Sequence, residues 1–294
     1  MNKLELNKYY LMDVLDGMHK IDDESVDIVL IDPPYNIGKD FGNNKDNMKL
    51  EDYIEWSKLW MNESIRILKP TGSIFIYGFS EILAHLSVNL NLNKRWLIWH
   101  YTNKTVPTYK SGWQRSHESI IWAYKNDAIF NVDDVREPYS ETFLKNSAGK
   151  KRTKSDTARY GGYKDTVYEA HPGGALPRDV FTNISSLAGG AGSKERYFLL
   201  DGKFCLPSEM KNLSSEKKKD VVKHPTQKPL KLTERLLLSS KPSDGGLVVI
   251  PFAGSGSEGV VCRKLGMNFV GFDNNPIYIS MSNSAVENWK FLVD

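Results

Sequence analysis

Over the first 130 residues, short apolar runs alternate with segments whose apolar positions recur at helical spacing. Residues 9–13 read as a short strand ending in an acid, 14–21 as a helix, and 26–31 as a buried strand. A polar, glycine-containing loop follows from 37 to 48. In the stretch 51–68, Ile54, Leu59, Ile65 and Leu68 fall at helical spacing, with Trp56 and Trp60 four apart. A helix is predicted there, both tryptophans read as core, and Lys69-Pro70-Thr71-Gly72 is expected to end it. A strand at 73–77 and a helix at 81–91 come next, then strands at 95–101 and 119–124 around a polar loop. From about 131 to 223 the rhythm fails and glycine pairs punctuate the chain at 161–162, 173–174 and 189–190. It returns with a helix at 229–239 and strands at 247–250 and 269–273. Strands alternating with helices imply a mostly parallel sheet. The expected architecture is an α/β domain formed by residues 1–130 and 224–294, interrupted by a loop-rich insert over 131–223.

Composition narrows the class. Of 294 residues, 40% are hydrophobic and 26% charged, which suits a soluble globular protein. No run of about 18 apolar residues exists, so no membrane span is expected. The first residues lack a signal-peptide pattern. Cys205 and Cys262 are far apart and read as reduced thiols, so the expected location is cytoplasmic. Six histidines lie scattered without ligand-like spacing, and no metal is expected. The net charge of +3 is unevenly placed. Residues 145–220 hold 15 Lys/Arg against 9 Asp/Glu, whereas the remainder holds 24 against 27. A basic insert beside a mildly acidic body points to a polyanionic partner. The run Lys217-Lys218-Lys219 reads as a solvated face.

The strand at 26–31 is stopped by Asp32-Pro33-Pro34-Tyr35. Two prolines can neither extend a sheet ladder nor enter a helix smoothly. They can fix a carboxylate, a carbonyl and an aromatic ring at a strand's C-terminal edge, where open α/β sheets bind ligands. The Asp32 carboxylate and the Pro33 carbonyl are both acceptors and can take both hydrogens of one amino group. Tyr35 offers a face for a flat ring. These parts suit chemistry on the exocyclic amine of a nucleobase.

A second motif, Pro251-Phe252-Ala253-Gly254-Ser255-Gly256-Ser257, joins a strand to a helix. Such a turn lets a ligand approach the backbone. The next strand ends in Asp273, where a nucleotide-binding fold holds ribose hydroxyls. Asp13 closes the first strand and reads either as a ligand contact or as a helix cap. His117-Glu118 and the loop at 36–48 stay unassigned, the latter between a cover for a base and an ordinary surface loop.

Asp32-Pro33-Pro34-Tyr35, then His224-Pro225-Thr226-Gln227-Lys228-Pro229, then the glycine turn resemble, in that order, the beta class of S-adenosylmethionine-dependent DNA amino-methyltransferases. The resemblance covers about 5–130 and 224–290. It implies a circularly permuted Rossmann-like methyltransferase fold, mostly parallel with one antiparallel strand, with 131–223 as target-recognition region. It further implies direct methyl transfer from S-adenosyl-L-methionine to a flipped-out adenine N6 of double-stranded DNA, leaving S-adenosyl-L-homocysteine. Asp32, Pro33, Pro34 and Tyr35 would be catalytic. Asp13, Asp32, Thr226, Lys228, Pro251, Phe252, Ala253, Gly254, Ser255, Gly256, Ser257 and Asp273 would hold the cofactor, with Thr226 and Lys228 near its carboxylate. The family has an acid directly before Pro-Phe, where this chain has Ile250, and a threonine where it has Ser257. Cytosine-N4 methylation is the first alternative, disfavoured because cytosine enzymes of the family more often carry serine at the position of Asp32. A nucleic-acid-binding protein without catalysis is the second. A homodimer and a cognate restriction endonuclease, the latter without a stable complex, are compatible partners.

Overall fold

The computed structural model describes residues 4–40, 45–101, 113–152, 166–167, 169–187 and 195–293. They fall into two compact units, one of Met1–Phe130 with Asp179–Asp294 and one of Asn131–Arg178. In the larger unit β1 (Lys8–Leu11) leads into the short helix α1 (Val14–Met18). β2 (Val26–Ile31) is buried at every position, as a central parallel strand covered on both faces must be. β3 (Lys39–Asp40) and β4 (Lys45–Asp46) pair antiparallel within the loop after Tyr35. Next come α2 (Leu50–Ile67), β5 (Leu68–Gly78), α3 (Ser80–Ser87), β6 (Asn93–His100) and β7 (His117–Tyr124).

The helix ends just before Lys69-Pro70-Thr71-Gly72, as expected, but these residues already belong to the strand: α2 hands directly to β5, which begins at Leu68 and carries Pro70 within it. The ladder explains this. Val26 pairs with Leu68 but Ile28 pairs with Ser73, so the residues between bulge out, and Pro70 is spared a ladder position it could not fill. Just beside the bulge lies the buried Asp27. It accepts from Lys69 Nζ at 2.9 Å on both oxygens and from the Leu247 backbone N–H at 2.8 Å. One carboxylate thereby ties together three neighbouring segments of chain.

The smaller unit contains α4 (Glu141–Asn146), capped by the Ser140 hydroxyl, and the antiparallel pair β8 (Lys151–Arg152) and β9 (Thr166–Val167). Arg178 bonds Glu137 at 2.6 Å, and Arg136 donates to the Gly174 carbonyl at 2.9 Å. Two glycine pairs of the expected insert, 161–162 and 189–190, lie outside the described residues.

From Asp179 the chain lies with the larger unit. It adds β10 (Val180–Phe181), the antiparallel pair β11 (Phe198–Leu200) and β12 (Lys203–Cys205), and α5 (Pro207–Met210). Then follow α6 (Leu230–Ser240), β13 (Leu247–Ile250), α7 (Ser257–Lys264), β14 (Asn268–Asp273), α8 (Pro276–Glu287) and α9 (Lys290–Val293). The main sheet runs β1-β14-β13-β2-β5-β7-β6-β10. All neighbours are parallel except β7, which is antiparallel to both β5 and β6. This is the expected mostly parallel sheet with one antiparallel strand.

Alternation along the strands divides the core. Ile28, Leu30, Phe75, Tyr77 and Val248 pack with Leu236, Val260 and Val261 of α6 and α7. Val29, Ile31, Ile74 and Ile76 pack with Met18, Trp60, Leu83 and Leu86 of α1, α2 and α3. Each such fully buried side chain stabilises the fold by roughly 1.5–3 kcal/mol relative to exposure. The C-terminal ends of the parallel strands β1, β2, β13 and β14 are thereby fixed, and the candidate site is built on them. Among the described residues no helix is long and apolar enough to cross a membrane.

Candidate active site

β2 delivers Asp32 to a cavity of about 680 Å³. The proline pair beyond it is anchored, because Tyr53 of α2 donates its hydroxyl to the Pro34 carbonyl at 2.7 Å. The chain then turns at Asn36, whose φ is +56°. The buried Asp46 pins that turn by accepting from the backbone N–H of Asn36 at 2.7 Å and of Ile37 at 3.2 Å. The loop after the tetrapeptide is thus tethered at its base, and Ile37, Lys39, Asp46 and Met48 line the cavity.

Asp32 is held from two sides. Lys228 Nζ donates to Oδ2 at 2.8 Å, and the Tyr35 hydroxyl donates to Oδ1 at 2.7 Å. Glu118, from the antiparallel strand β7, closes the group. It accepts from the Tyr35 hydroxyl at 3.3 Å and lies 3.6 Å from Lys228 Nζ. Lys228 is 4% exposed. Burial works against its charge, but Asp32 and Glu118 beside it raise its pKa above the ordinary lysine value. Burial, with Asp32 and Glu118 adding to it, also pushes the Tyr35 hydroxyl well above the usual phenol value. Lys228, expected near a cofactor carboxylate, therefore has its ammonium on Asp32. Tyr35, expected to offer a ring face, is buried, lines the cavity, and uses its hydroxyl to position Asp32.

The glycine turn forms the other wall. Two buried tyrosines pin it. Tyr9 of β1 donates to the Gly256 carbonyl at 3.2 Å and accepts from the Gly259 N–H at 2.8 Å, while Tyr197 donates to the Ser255 carbonyl at 2.8 Å. Gly254 and Gly256 both have positive φ, +49° and +85°. Asp273, at the end of β14, accepts from the Gly254 N–H and the Asn275 N–H, each at 2.8 Å. Burial raises its pKa and these backbone donors oppose the rise. Phe252 meets the edges of Trp56 and Trp60, at centroid distances of 5.7 and 5.9 Å. Trp60 is core as expected, but Trp56 is only half-buried and lines the cavity.

His224 is buried edge-on against Tyr278 at 4.7 Å. Burial, aided by the nearby charges of Lys228 and Lys39, lowers its pKa to about 3. The neutral ring accepts from the Thr226 N–H on Nδ1 at 3.4 Å. Its Nε2 stands where any Cβ on Gly254 would come within 2.9 Å.

Of the residues expected at the site, Asp13, Asp32, Pro33, Pro34, Tyr35, Thr226, Lys228, Pro251, Phe252, Ala253, Gly254, Ser255, Ser257 and Asp273 line this one cavity. Gly256 does not; it is pressed against α8, and a Cβ there would meet Ser282 Cβ at 2.5 Å. Asp13 also caps α1, accepting from the Leu15 N–H at 2.9 Å. Ile250 is a core residue and does not line the cavity. Glu118, Glu258, His224 and Tyr53 also line it without having been assigned there from sequence. Glu258 in particular reads as an ordinary acid in a helix's first turn, so no linear pattern separates it from a surface charge. Among the described residues no group of three or more His, Cys, Asp or Glu is placed to hold a metal ion.

The chain is similar to known DNA methyltransferases. The Type II methyltransferase M.HpaI of Haemophilus parainfluenzae is 27% identical over 278 residues, covering 92% of this chain and 71% of its own length. The DNA adenine methyltransferase YhdJ of Escherichia coli strain K12 is 28% identical over 274 residues, covering 92% and 79%. Among solved structures, PvuII DNA methyltransferase (cytosine-N4-specific) superposes with a TM-score of 0.61 at 15% identity, covering 97% of this chain and 92% of its own, a likeness of fold. The family model N6_N4_Mtase, described as DNA methylase, matches residues 26–284. With that match spanning most of its length, the chain belongs to the N6/N4 DNA methylase family.

Proposed function

We propose that the chain is a site-specific DNA adenine-N6 methyltransferase. It takes its methyl group from S-adenosyl-L-methionine and acts on an adenine flipped out of double-stranded DNA. The observation that carries this reading is that Asp32-Pro33-Pro34-Tyr35 and the glycine turn, some 220 residues apart in sequence, open into one cavity. Its volume of about 680 Å³ falls within the range of small-molecule sites.

The donor set suits S-adenosyl-L-methionine. Six acidic side chains, Asp13, Asp32, Asp46, Glu118, Glu258 and Asp273, line the cavity against two lysines, Lys39 and Lys228, which favours a cation. Asp273 keeps lone pairs beyond its two backbone donors for ribose hydroxyls. Phe252 and Trp56 offer apolar surface for a purine. When bound, S-adenosyl-L-methionine supplies an electrophilic methyl group. The chain's own task is to prepare the amine. Asp32 uses one lone pair of each oxygen on Lys228 and Tyr35, so others remain for an N6 hydrogen. The Pro33 carbonyl would take the second. Both bonds favour a pyramidal nitrogen with a localised lone pair, and the fixed carboxylate contributes through positioning and preorganised charge.

Asp32, rather than serine, favours adenine, and the similar YhdJ is a DNA adenine methyltransferase. The name of M.HpaI, a Type II methyltransferase, supports a role in restriction-modification beside a cognate endonuclease. The basic segment within 131–223 would contact DNA as the target-recognition region. The test is to express the chain in a methylation-free host and analyse its DNA by mass spectrometry and modified-base sequencing. N6-methyladenine at one recurring sequence is expected. N4-methylcytosine would overturn the choice of base, and unmodified DNA together with no binding of S-adenosyl-L-methionine would overturn the enzyme reading.

A further inference from the structure

Glu258 is the second residue of α7, directly after the glycine turn. It is 4% exposed and lines the cavity. Its Oε2 accepts from the Ser257 hydroxyl at 3.1 Å. Lys228 is committed to Asp32 and Glu118, and no ion pair reaches Glu258 among the described residues. A buried carboxyl facing a cavity without a cation of its own is costly to ionise.

The groups that face it come from every side: Asp32 after β2, Lys228 ahead of α6, Tyr9 on β1, Tyr77 on β5, Tyr197 ahead of β11, and Cys262 on α7 itself. Burial first, then the charge of Asp32, push the Glu258 pKa up to about 7, with its own backbone N–H, the charge of Lys228 and the Ser257 hydroxyl pulling the other way. Burial raises the three tyrosines and Cys262 as well, so they stay neutral near pH 7. Lys228 stays charged there.

A sulfonium methyl donor carries one positive charge more than its thioether product. A ligand shifts an ionisation only through its differential interaction with the two states. We propose that Glu258 is the counter-charge for the cationic methyl donor, and that it lets the pocket distinguish the donor from its product. The proposal rests on the methyl-donor reading above. Donor binding would drive the carboxyl, about half protonated near pH 7, fully to carboxylate and release the remaining proton to solvent, whereas product binding would leave its ionisation unchanged.

Isothermal titration calorimetry of the full chain at pH 7, in two buffers of different ionisation enthalpy, tests this. Roughly half a proton should be released per S-adenosyl-L-methionine bound, for a group titrating near the working pH, and close to none per S-adenosyl-L-homocysteine. In Glu258→Gln, affinity for the donor should fall about tenfold, affinity for the product should change by less than about twofold, and the proton release should vanish. Equal losses for both ligands, or proton release that persists in the variant, would overturn the proposal. If Glu258→Gln does not fold, the wild-type proton counts decide alone, and equal counts for the two ligands overturn it. If the wild type binds neither ligand, the methyl-donor reading fails and takes this proposal with it. Binding of both ligands without a difference in proton count defeats only the role of Glu258.

Discussion

Asp32 shows how much work a single carboxylate can be given. One oxygen is bonded to the buried Lys228 and the other to the Tyr35 hydroxyl, with Glu118 next to both donors. Truncation at Asp32 removes the acceptor for the target amine. Asp32→Ala is expected to abolish methyl transfer while circular dichroism and DNA binding stay close to wild type; near-full turnover would refute its role. Tyr35→Phe is a finer probe, since the ring stays and only the hydroxyl goes. Hydrogen bonds to charged groups contribute about 1.5–3 kcal/mol, so kcat should drop about 10- to 100-fold with the fold intact. If kcat and substrate affinity are both unchanged, the tyrosine acts through its ring and not as a positioning group.

At the scale of elements, the site depends on how the turn between β13 and α7 is fastened. Tyr9, Tyr197 and Asp273 hold its backbone, and α8 closes against Gly256. At φ +85° an L side chain is strained, and a Cβ would come within 2.5 Å of Ser282 Cβ and 2.6 Å of its Cα. Gly256→Ala should therefore destabilise the chain by about 2–4 kcal/mol and weaken binding of the methyl donor, read by thermal melting and calorimetry. The buried His224 adds a pH dependence. Its folded pKa, near 3, lies below the value of about 6.5 expected when unfolded. Between these values the unfolded chain binds more protons, so stability falls as pH drops through that window. His224→Gln should flatten the acid limb of melting temperature against pH between about 6.5 and 3. An unchanged limb would assign acid lability to other groups.

At the scale of the whole molecule, one unit carries the sheet and the cavity, and the residues of Asn131–Arg178 cohere separately. Part of the basic excess falls in that second unit, including Lys150, Lys151 and Arg152. If these residues touch DNA phosphates, neutralising all three should weaken binding. It should also flatten the salt dependence by about 0.9 in log–log slope for each phosphate that is no longer neutralised. A titration of affinity against salt concentration measures this, and an unchanged slope would move the DNA surface elsewhere.

The sequence by itself determined the alternation of strands and helices, because apolar period and proline or glycine stops are local properties. It also marked Asp32-Pro33-Pro34-Tyr35, the glycine turn and Asp273, since backbone chemistry restricts which residues can end a strand or turn tightly. It missed only that β5 begins at Leu68 and not at 73, because a bulge against β2 lets Pro70 sit within the strand. What it could not hold was partnership across the chain. That Lys228 would reach Asp32 across 196 positions, that β7 would turn Glu118 toward the same group, or that Glu258 would be buried with no ion pair among the described residues are all consequences of packing. A charge looks alike in sequence whether it meets water or a low-dielectric cavity, and only the tertiary structure decides which.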